Sequence, residues 1–284
     1  MSGRRWVILL LCLVGLGCAS PKAAGVGLVT DAVSLNDAGY QNYRQGRWDL
    51  AAEKFSQALT LNRLIDRRNG IAANLNNLGV IAQEQGDLDQ AQERFQEALS
   101  LQRALGDPGG LSETLNNLGA LRQAQGRPEE AQKAFEEALA YARQARPGPL
   151  LPLSLTHLGD AARERRDFTG ALDYYNQALK LDVAGKDRQG RVVRWARLGR
   201  VYLAMQNFGE AGTYLQEALR ESRTLEDTTG IVEALDGLTR LALAQNNRQE
   251  ALDYGDRLLK IYQARGQEKE ADKLQKLLGQ KAQF

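Results

Sequence analysis

The sequence predicts an all-α protein, and three observations lead to that prediction. Residues that favour helix, such as Ala, Leu, Gln, Glu and Arg, fill most positions, whereas only 6% of the residues are aromatic and only 6 are Pro. Apolar residues recur at the three- and four-residue spacing of a helix. The whole pattern repeats every forty residues. With 284 residues, 43% of them hydrophobic and 25% charged, the chain is long enough to bury a large core.

The first 17 residues form a segment of a different kind, which we assign to a signal peptide. Arg4 and Arg5 precede an apolar run from Trp6 to Gly17. The run is shorter than the roughly 20 apolar residues of a membrane-spanning helix. It fits the apolar region of a secretory signal instead.

The end of this segment, Gly15-Leu16-Gly17-Cys18, resembles the lipobox of bacterial lipoproteins. The resemblance implies that Cys18 is acylated and becomes the mature N-terminus, with residues 18–31 as a short tether. The absence of Asp after Cys18 implies sorting to the outer membrane, facing the periplasm. Acyl chains would anchor the protein, because each buried methylene contributes about 0.8 kcal/mol. The alternative is a plain secretory signal that is cut near Ala19 or Ala24.

The charge balance argues against a nucleic-acid ligand. The chain has 37 Lys and Arg against 35 Asp and Glu, and loss of residues 1–17 removes two Arg, which leaves 35 of each. A neutral chain has no net basic field to attract phosphates. Cys12 leaves with the signal and Cys18 would carry lipid, so we expect no disulfide, redox or metal role for a thiol.

A forty-residue repeat runs through the rest of the chain. The Ala column comprises Ala51, Ala91, Ala131, Ala171, Ala211 and Ala251. The Leu column comprises Leu59, Leu99, Leu139, Leu179, Leu219 and Leu259. The Gly column comprises Gly39, Gly79, Gly119, Gly159 and Gly199, and the sixth copy departs from it with Thr239. We therefore expect six copies of one structural unit.

Each copy has the pattern of a helix, a turn and a second helix. In the second copy Leu75, Leu78 and Ile81 fall at helical intervals, Gly86 interrupts the pattern, and the apolar stripe resumes at Leu88. The residues that would cap second helices are Asp87, Asn207 and Asn247, together with Pro128 at a first helical position.

The unit resembles the tetratricopeptide repeat, in which W-x2-L-G-x2-Y is followed by A-x3-F. The matching residues of the second copy are Leu75, Leu78-Gly79, Ala82, Ala91 and Phe95. The length of forty residues is similar to the variety found in kinesin light chains. The resemblance implies a right-handed superhelical solenoid of six helix-turn-helix repeats over residues 32–270, closed by a capping helix and tail over 271–284.

No group of residues has the spacing of a catalytic or metal site. His157 is the only His, and it has no second His, no Cys in the folded part and no apparent carboxylate partner. Glycines occur singly rather than in a phosphate-binding loop. We therefore expect no enzyme, no cofactor, no metal and no small-molecule substrate, and we expect His157 to be solvated or to line a groove.

The remaining candidate is a surface that binds a protein or an extended peptide. In tetratricopeptide arrays the first helices line a concave groove, and the resemblance places along it Asn36, Tyr40, Asn76, Gln83, Asn116, Gln123, Thr156, Arg163, Arg200, Asp236 and Arg240. The first three copies share an Asn here, and we expect Asn76 and Asn116 to lie on a solvated helix face. Their amides could hold a peptide backbone, because an amide both donates and accepts hydrogen bonds. The alternative is that these Asn tie one repeat to the next.

The sequence thus predicts a non-catalytic scaffold for protein–protein interaction in the bacterial cell envelope. One class resembles pilotins, which are anchored lipoproteins that assist the assembly of a pilus or secretion complex. A second class is an adaptor that recruits peptidoglycan-processing enzymes. A third class, which follows from the unlipidated alternative, is a soluble periplasmic protein that binds peptides.

Overall fold

The computed structural model describes residues 21–145 and 148–280, with side chains described from 27 to 279 within these ranges. This part of the chain forms thirteen helices and contains no strand. They are α1 (Pro21–Arg44), α2 (Trp48–Leu64), α3 (Arg68–Glu84), α4 (Leu88–Leu105), α5 (Pro108–Ala124), α6 (Pro128–Gln144), α7 (Leu150–Glu164), α8 (Phe168–Ala184), α9 (Arg188–Ala204), α10 (Phe208–Thr224), α11 (Thr228–Ala244), α12 (Arg248–Ala264) and α13 (Glu268–Gln280). The signal segment, Cys18 and residues 281–284 lie outside the described residues.

The helices form one continuous stack. Each helix packs against the next one along the chain, and α3, α5, α7, α9 and α11 also contact one another in that order. The first helices of successive repeats therefore lie side by side on one face. Each repeat buries the apolar face that its neighbour could not bury alone. The predicted all-α solenoid of helix pairs is confirmed.

Eleven turns of the described chain contain one residue each in the left-handed conformation, and these residues are spaced by twenty positions or, across the connection from α6 to α7, by forty. At Gly86 φ is 85°. Its amide bonds to the Gln83 carbonyl at 3.0 Å, and the Asp87 amide bonds to the Ala82 carbonyl at 2.9 Å. These bonds satisfy carbonyls that the end of the preceding helix leaves free. The equivalent left-handed residues are Gly46, Asp66, Gly106, Gly126, Arg166, Lys186, Gln206, Glu226, Asn246 and Gly266.

Asp or Asn at the end of many turns caps the helix that follows. Side chains of the predicted caps Asp87, Asn207 and Asn247 accept a hydrogen bond from the backbone amide three residues ahead, at 3.0, 3.4 and 3.3 Å. Pro128 stands at the start of α6. The predicted starts of these second helices are confirmed.

The core of each repeat is a large side chain of the second helix that lies against a glycine of the first. Phe95 is fully buried, and a Cβ atom on Gly79 would stand 2.6 Å from its Cε1 atom. The Phe95 ring can approach the α3 backbone this closely only because Gly79 has no side chain. The same pairs are Phe55 on Gly39, Phe135 on Gly119, Tyr175 on Gly159 and Leu215 on Gly199. The Ala column is at most 1% exposed and lies at the same seam.

The sixth repeat departs from this pattern because it makes room for α13. Gly255 occupies the position of Phe95, and a Cβ atom there would stand 2.7 Å from Cδ1 of Leu278 in α13. Ala271 and Leu274 are 7% and 5% exposed and extend the contact. The glycine that breaks the repeat pattern therefore receives the helix that ends the stack.

Most of the expected tether is helical. Helix α1 begins at Pro21, so residues 21–31 continue into the first helix of the first repeat. Pro is favourable at a first helical position, and extending an existing helix costs little compared with nucleating one. Ala32, at about the midpoint of α1, is 1% exposed, so the helix packs into the core from there onward.

Candidate functional site

The candidate interaction surface is the face formed by the first helices of the repeats, and we call it the groove. Amides and tyrosines line its first half, on α1, α3 and α5. Charged side chains line its second half, on α7, α9 and α11. The two halves differ in whether their carboxylates pair with arginines of the same chain.

Amide side chains join the first two repeats across the groove. Asn36 Oδ1 accepts hydrogen bonds from Nδ2 of Asn74 at 2.9 Å and from Nδ2 of Asn77 at 3.1 Å. Tyr40 donates through Oη to Oδ1 of Asn77 at 3.0 Å. Asn36 and Tyr40 therefore contact the next repeat, although Tyr40 keeps 41% of its surface exposed.

Asn76 and Asn116 are buried, and the expectation of a solvated helix face is wrong for both. Asn76 is 3% exposed, donates to Oε1 of Glu113 at 3.3 Å and accepts from Nδ2 of Asn117 at 2.9 Å. Asn116 is 1% exposed and donates to Oγ of Ser154 at 2.9 Å. The next first helix closes this face, so the amides pair with it rather than with solvent. These contacts favour the alternative in which the Asn tie one repeat to the next.

Three further residues that the resemblance placed along the groove occupy different environments. Thr156 is buried, and its hydroxyl donates to the Pro152 carbonyl of its own helix at 2.7 Å. Gln123 is half-buried and donates to Glu164 of the following first helix. Gln83 is half-buried at the equivalent place one repeat earlier. Gln83 and Gln123 keep access to solvent and Thr156 does not.

A chain of ion pairs crosses the second half of the groove. Arg197 of α9 lies between α7 and α11, with Nε 3.3 Å from Oδ1 of Asp160 and Nη1 3.9 Å from Oε2 of Glu233. Arg163 Nε is 4.0 Å from the same Asp160 oxygen. Tyr175 donates to Asp160 at 2.8 Å, and burial, followed by this carboxylate, raises the pKa of Tyr175. Ion pairs thus join the first helices of three repeats.

Arg200, Asp236 and Arg240 form a second group at the end of the groove. Arg240 Nε donates to both carboxylate oxygens of Asp236 at 2.9 Å. Arg200 Nη2 stands 3.7 Å from Oδ2 of Asp236. A depression of about 360 Å³ lies beside this group, between α11, α12 and α13. Asp160, Glu233 and Asp236 are therefore paired with arginines of the same chain.

A smaller depression of about 210 Å³ opens in the first half of the groove, and we call it the tyrosine pocket. Its lining comprises Tyr40, Tyr43, Phe55, Asn76, Asn77, Val80, Glu113 and Asn117. The Tyr40 ring meets the Phe55 ring edge-on, with 5.4 Å between centroids. The pocket spans three repeats and combines aromatic rings, amides and a carboxylate.

The electrostatic surroundings of the tyrosine pocket are negative. Burial, followed by the charge of Glu113, raises the pKa of Tyr40. Burial, followed by the charge of Glu84, raises the pKa of Tyr43. The pKa of Glu113 is itself raised, first by partial loss of solvation and then by Asp107, although the residue as a whole is exposed. Ionisation of Glu113 is therefore less favourable here than in water.

His157 is a packing residue. Its ring stacks on Phe135 with 5.0 Å between centroids and an angle of 4°. Burial is the main cause that lowers the pKa of His157, and the charges of Arg197 and Arg194 lower it further against the opposing effect of Asp160. Within the described residues no three His, Cys, Asp or Glu side chains are grouped as metal ligands.

Polar pairs buried between repeats are a feature that the sequence reasoning missed. Asn62 donates to Asn74 at 2.8 Å between the first and second repeats. At the equivalent interface between the fourth and fifth repeats, Asp182 Oδ2 stands 3.1 Å from Nε of Arg194, and their side chains are 1% and 8% exposed. Comparing the two residues twelve positions apart in each copy, such as Asn62 with Asn74 and Asp182 with Arg194, could have identified these polar pairs.

Arg197 was also missed. It occupies the forty-residue column of Asn77, Asn117 and His157. The change from amide to charge along that column marks the boundary between the two halves of the groove.

The comparisons with known proteins agree with this architecture. The family model described as tetratricopeptide repeat matches residues 30–104, 110–182 and 192–264. A comparison with curated proteins finds no match.

Among solved structures, the chain is similar to PilW, a widely conserved type IV pilus biogenesis factor, at 21% identity over 81% of this chain and 92% of PilW, with a TM-score of 0.58. It is similar to PilF of Pseudomonas aeruginosa at 20% identity over 87% and 99% of the two chains, with a TM-score of 0.56. It is similar to a Rap protein complexed with competence and sporulation factor at 15% identity over 88% and 76%, with a TM-score of 0.66. At these identities the likeness concerns the fold.

Proposed function

We propose, since the chain belongs to the tetratricopeptide repeat family, that it is a membrane-anchored scaffold that assists the assembly of a complex in the bacterial cell envelope. The observation that carries the proposal is the combination of a lipobox-like sequence at Cys18 with a solenoid similar over most of its length to PilW and PilF. The role proposed is binding rather than catalysis.

The geometry supports a preformed binding surface. Hydrogen bonds and ion pairs join successive first helices, so the groove does not have to order itself when a partner binds. Tyr40, Gln83, Arg163, Arg200 and Arg240 remain at least partly exposed along it. These side chains would contact the partner, whereas the buried Asn76 and Asn116 would hold the repeats in place.

The proposed attachment to the membrane is through acyl chains at Cys18. Among the helices of the described residues, none is long and apolar enough to cross a bilayer. Helix α1 begins at Pro21, and three residues span at most about 11 Å when fully extended. The first repeat would then lie close to the outer membrane, and the later repeats would place the rest of the groove farther from it.

A soluble peptide-binding protein is the second candidate. The fold is similar to that of a Rap protein complexed with competence and sporulation factor, at a TM-score of 0.66. This candidate requires a signal that is cut without lipidation. An adaptor for peptidoglycan-processing enzymes stays a prediction from the sequence.

Metabolic labelling tests the proposal. Wild-type protein should incorporate labelled palmitate and sediment with outer membranes, whereas Cys18→Ser should do neither. A strain that lacks the gene should lose assembly of a surface pilus or secretion complex, and the wild-type gene should restore it better than Cys18→Ser. Equal labelling of both proteins would contradict the anchor. Normal assembly in the deletion strain would contradict the role.

A further inference from the structure

Three carboxylates around the tyrosine pocket have no cationic partner among the side chains that the structure describes. They are Asp37, Glu84 and Glu113, and none of them forms an ion pair there. The charges of Asp37 and Glu113 help to raise the pKa of Tyr40, and the charge of Glu84 helps to raise the pKa of Tyr43. Every charged group that perturbs these two tyrosines is therefore negative.

The other half of the groove shows that the fold can neutralise such carboxylates. Asp160 and Glu233 are paired with Arg197, and Asp236 is paired with Arg200 and Arg240. The first half contains the same kind of acids on the same kind of helices, but the arginines of those helices do not pair with them. The three side chains are exposed, so water solvates their charges and a cation of a partner can reach them.

The hydrogen bonds of the pocket leave acceptors available to a ligand, besides the second N–H of each Asn amide. The Tyr40 hydroxyl proton is used on Asn77, and Nδ2 of Asn76 is directed to Oε1 of Glu113. Oε2 of Glu113 and the lone pairs of Tyr40 Oη accept no hydrogen bond from the side chains described around them. The faces of tyrosine rings also attract cations.

We propose that the tyrosine pocket binds a lysine or arginine side chain carried on an extended segment of the partner protein. The cation would lie against Glu113, with Tyr40 and Tyr43 beside its alkyl stem and charged end. A volume of about 210 Å³ admits one side chain and no folded element. The inference rests on the proposed scaffold function and names the chemistry by which that scaffold recognises its partner.

Stability provides a first measurement. The folded pKa of Glu113 is raised, so ionisation disfavours the folded state, and the penalty is fully present once the pH exceeds that folded pKa. Glu113→Gln removes the charge and keeps an oxygen to accept from Asn76. We expect this variant to unfold at a higher temperature than the wild type at pH 7. Glu93→Gln, on the exposed side of α4, is the matched control and should leave the melting temperature unchanged.

Binding provides the decisive measurement. A library of random twelve-residue peptides displayed on phage is selected against the full-length chain in mild detergent, in wild-type, Glu113→Gln and Glu93→Gln forms. Peptides selected by the wild type and by Glu93→Gln should share a Lys or Arg at one position, and Glu113→Gln should lose that enrichment. For one selected peptide, Glu113→Gln should weaken the affinity by about ten-fold to a hundred-fold, because a charge-assisted hydrogen bond is lost.

A double-mutant cycle completes the test. Replacing the basic residue of the peptide by Gln should weaken binding to the wild type by a similar factor and have little further effect on Glu113→Gln. Selected peptides that bind the groove without a basic residue would overturn the cation inference and leave the scaffold function standing. Failure to select any peptide would overturn both. Displacement of the peptide by spermidine at equal affinity would assign the pocket to a free polyamine and overturn the inference.

Discussion

The buried pair between Asp182 and Arg194 offers the sharpest test of how the repeats are held together. The two side chains join α8 to α9 at 3.1 Å and are almost completely withdrawn from solvent. We propose three variants: Arg194→Met, Asp182→Leu, and the two changes together. Each single change leaves one charge buried without a partner, whereas the double change replaces the pair by apolar side chains of similar volume.

The expected magnitude follows from burial. Breaking a buried ion pair by removing one partner costs about 3–5 kcal/mol, and apolar replacement of both partners is often neutral or stabilising. For a chain of this size, 1 kcal/mol shifts the melting temperature by about 2–4 °C. Each single variant should therefore melt about 6–20 °C below the wild type, and the double variant should melt close to it. The interface between the fifth and sixth repeats supports this expectation, because Ser222 and Ala234 occupy the equivalent buried positions without charge.

The assays are thermal and urea unfolding, both followed by far-ultraviolet circular dichroism, with all variants at one protein concentration. Hydrogen exchange should show that the single variants lose protection first on either side of the α8–α9 interface, since each repeat is stabilised mainly by its neighbours. A double variant as unstable as the two single variants would refute the reasoning. Single variants that match the wild type would show that the pair is exposed to solvent.

Three further outcomes are expected. Ala91→Leu should lower the free energy of unfolding by about 1–3 kcal/mol in urea unfolding, because the site is fully buried, while Glu93→Leu on the exposed face should be nearly neutral; equal effects would place the seam elsewhere. Lys186→Gly should raise stability in the same experiment by about 1 kcal/mol, because φ at Lys186 is 55°; a loss would contradict the left-handed turn. Gly255→Ala should displace Leu278 and expose the α13 amides to hydrogen exchange; unchanged exchange would show that α13 does not depend on this contact.

The sequence predicts most of the architecture because the forty-residue columns record steric requirements. A column of Ala or Gly persists where two helices touch, as at Ala91 and Gly79, and caps such as Asp87 mark where helices begin. These requirements act within one repeat and can be read from a single chain. The departure at Gly255 is visible as well, but its reason is visible only with α13 in place.

The environment of the groove residues is harder to predict because the same helix face can be open or covered. Asn76 and Asn116 have the spacing expected of groove residues, yet the neighbouring first helix covers both. How far one repeat overlaps the next depends on the small angle between them, and no local pattern encodes that angle. Partners on the next first helix, such as Arg197 for Asp160, are hidden for the same reason.

The most direct test of the account is site-specific photo-crosslinking in living cells. A photoreactive phenylalanine analogue is placed in the groove at Tyr40 or Arg200, and outside it at Glu93 or Glu129, which are exposed on second helices. The account predicts that both groove positions crosslink to the same envelope protein in the membrane fraction and that the two outer positions do not. Crosslinks to that protein from Glu93 and Glu129, with none from Tyr40 and Arg200, would contradict the groove as the binding surface.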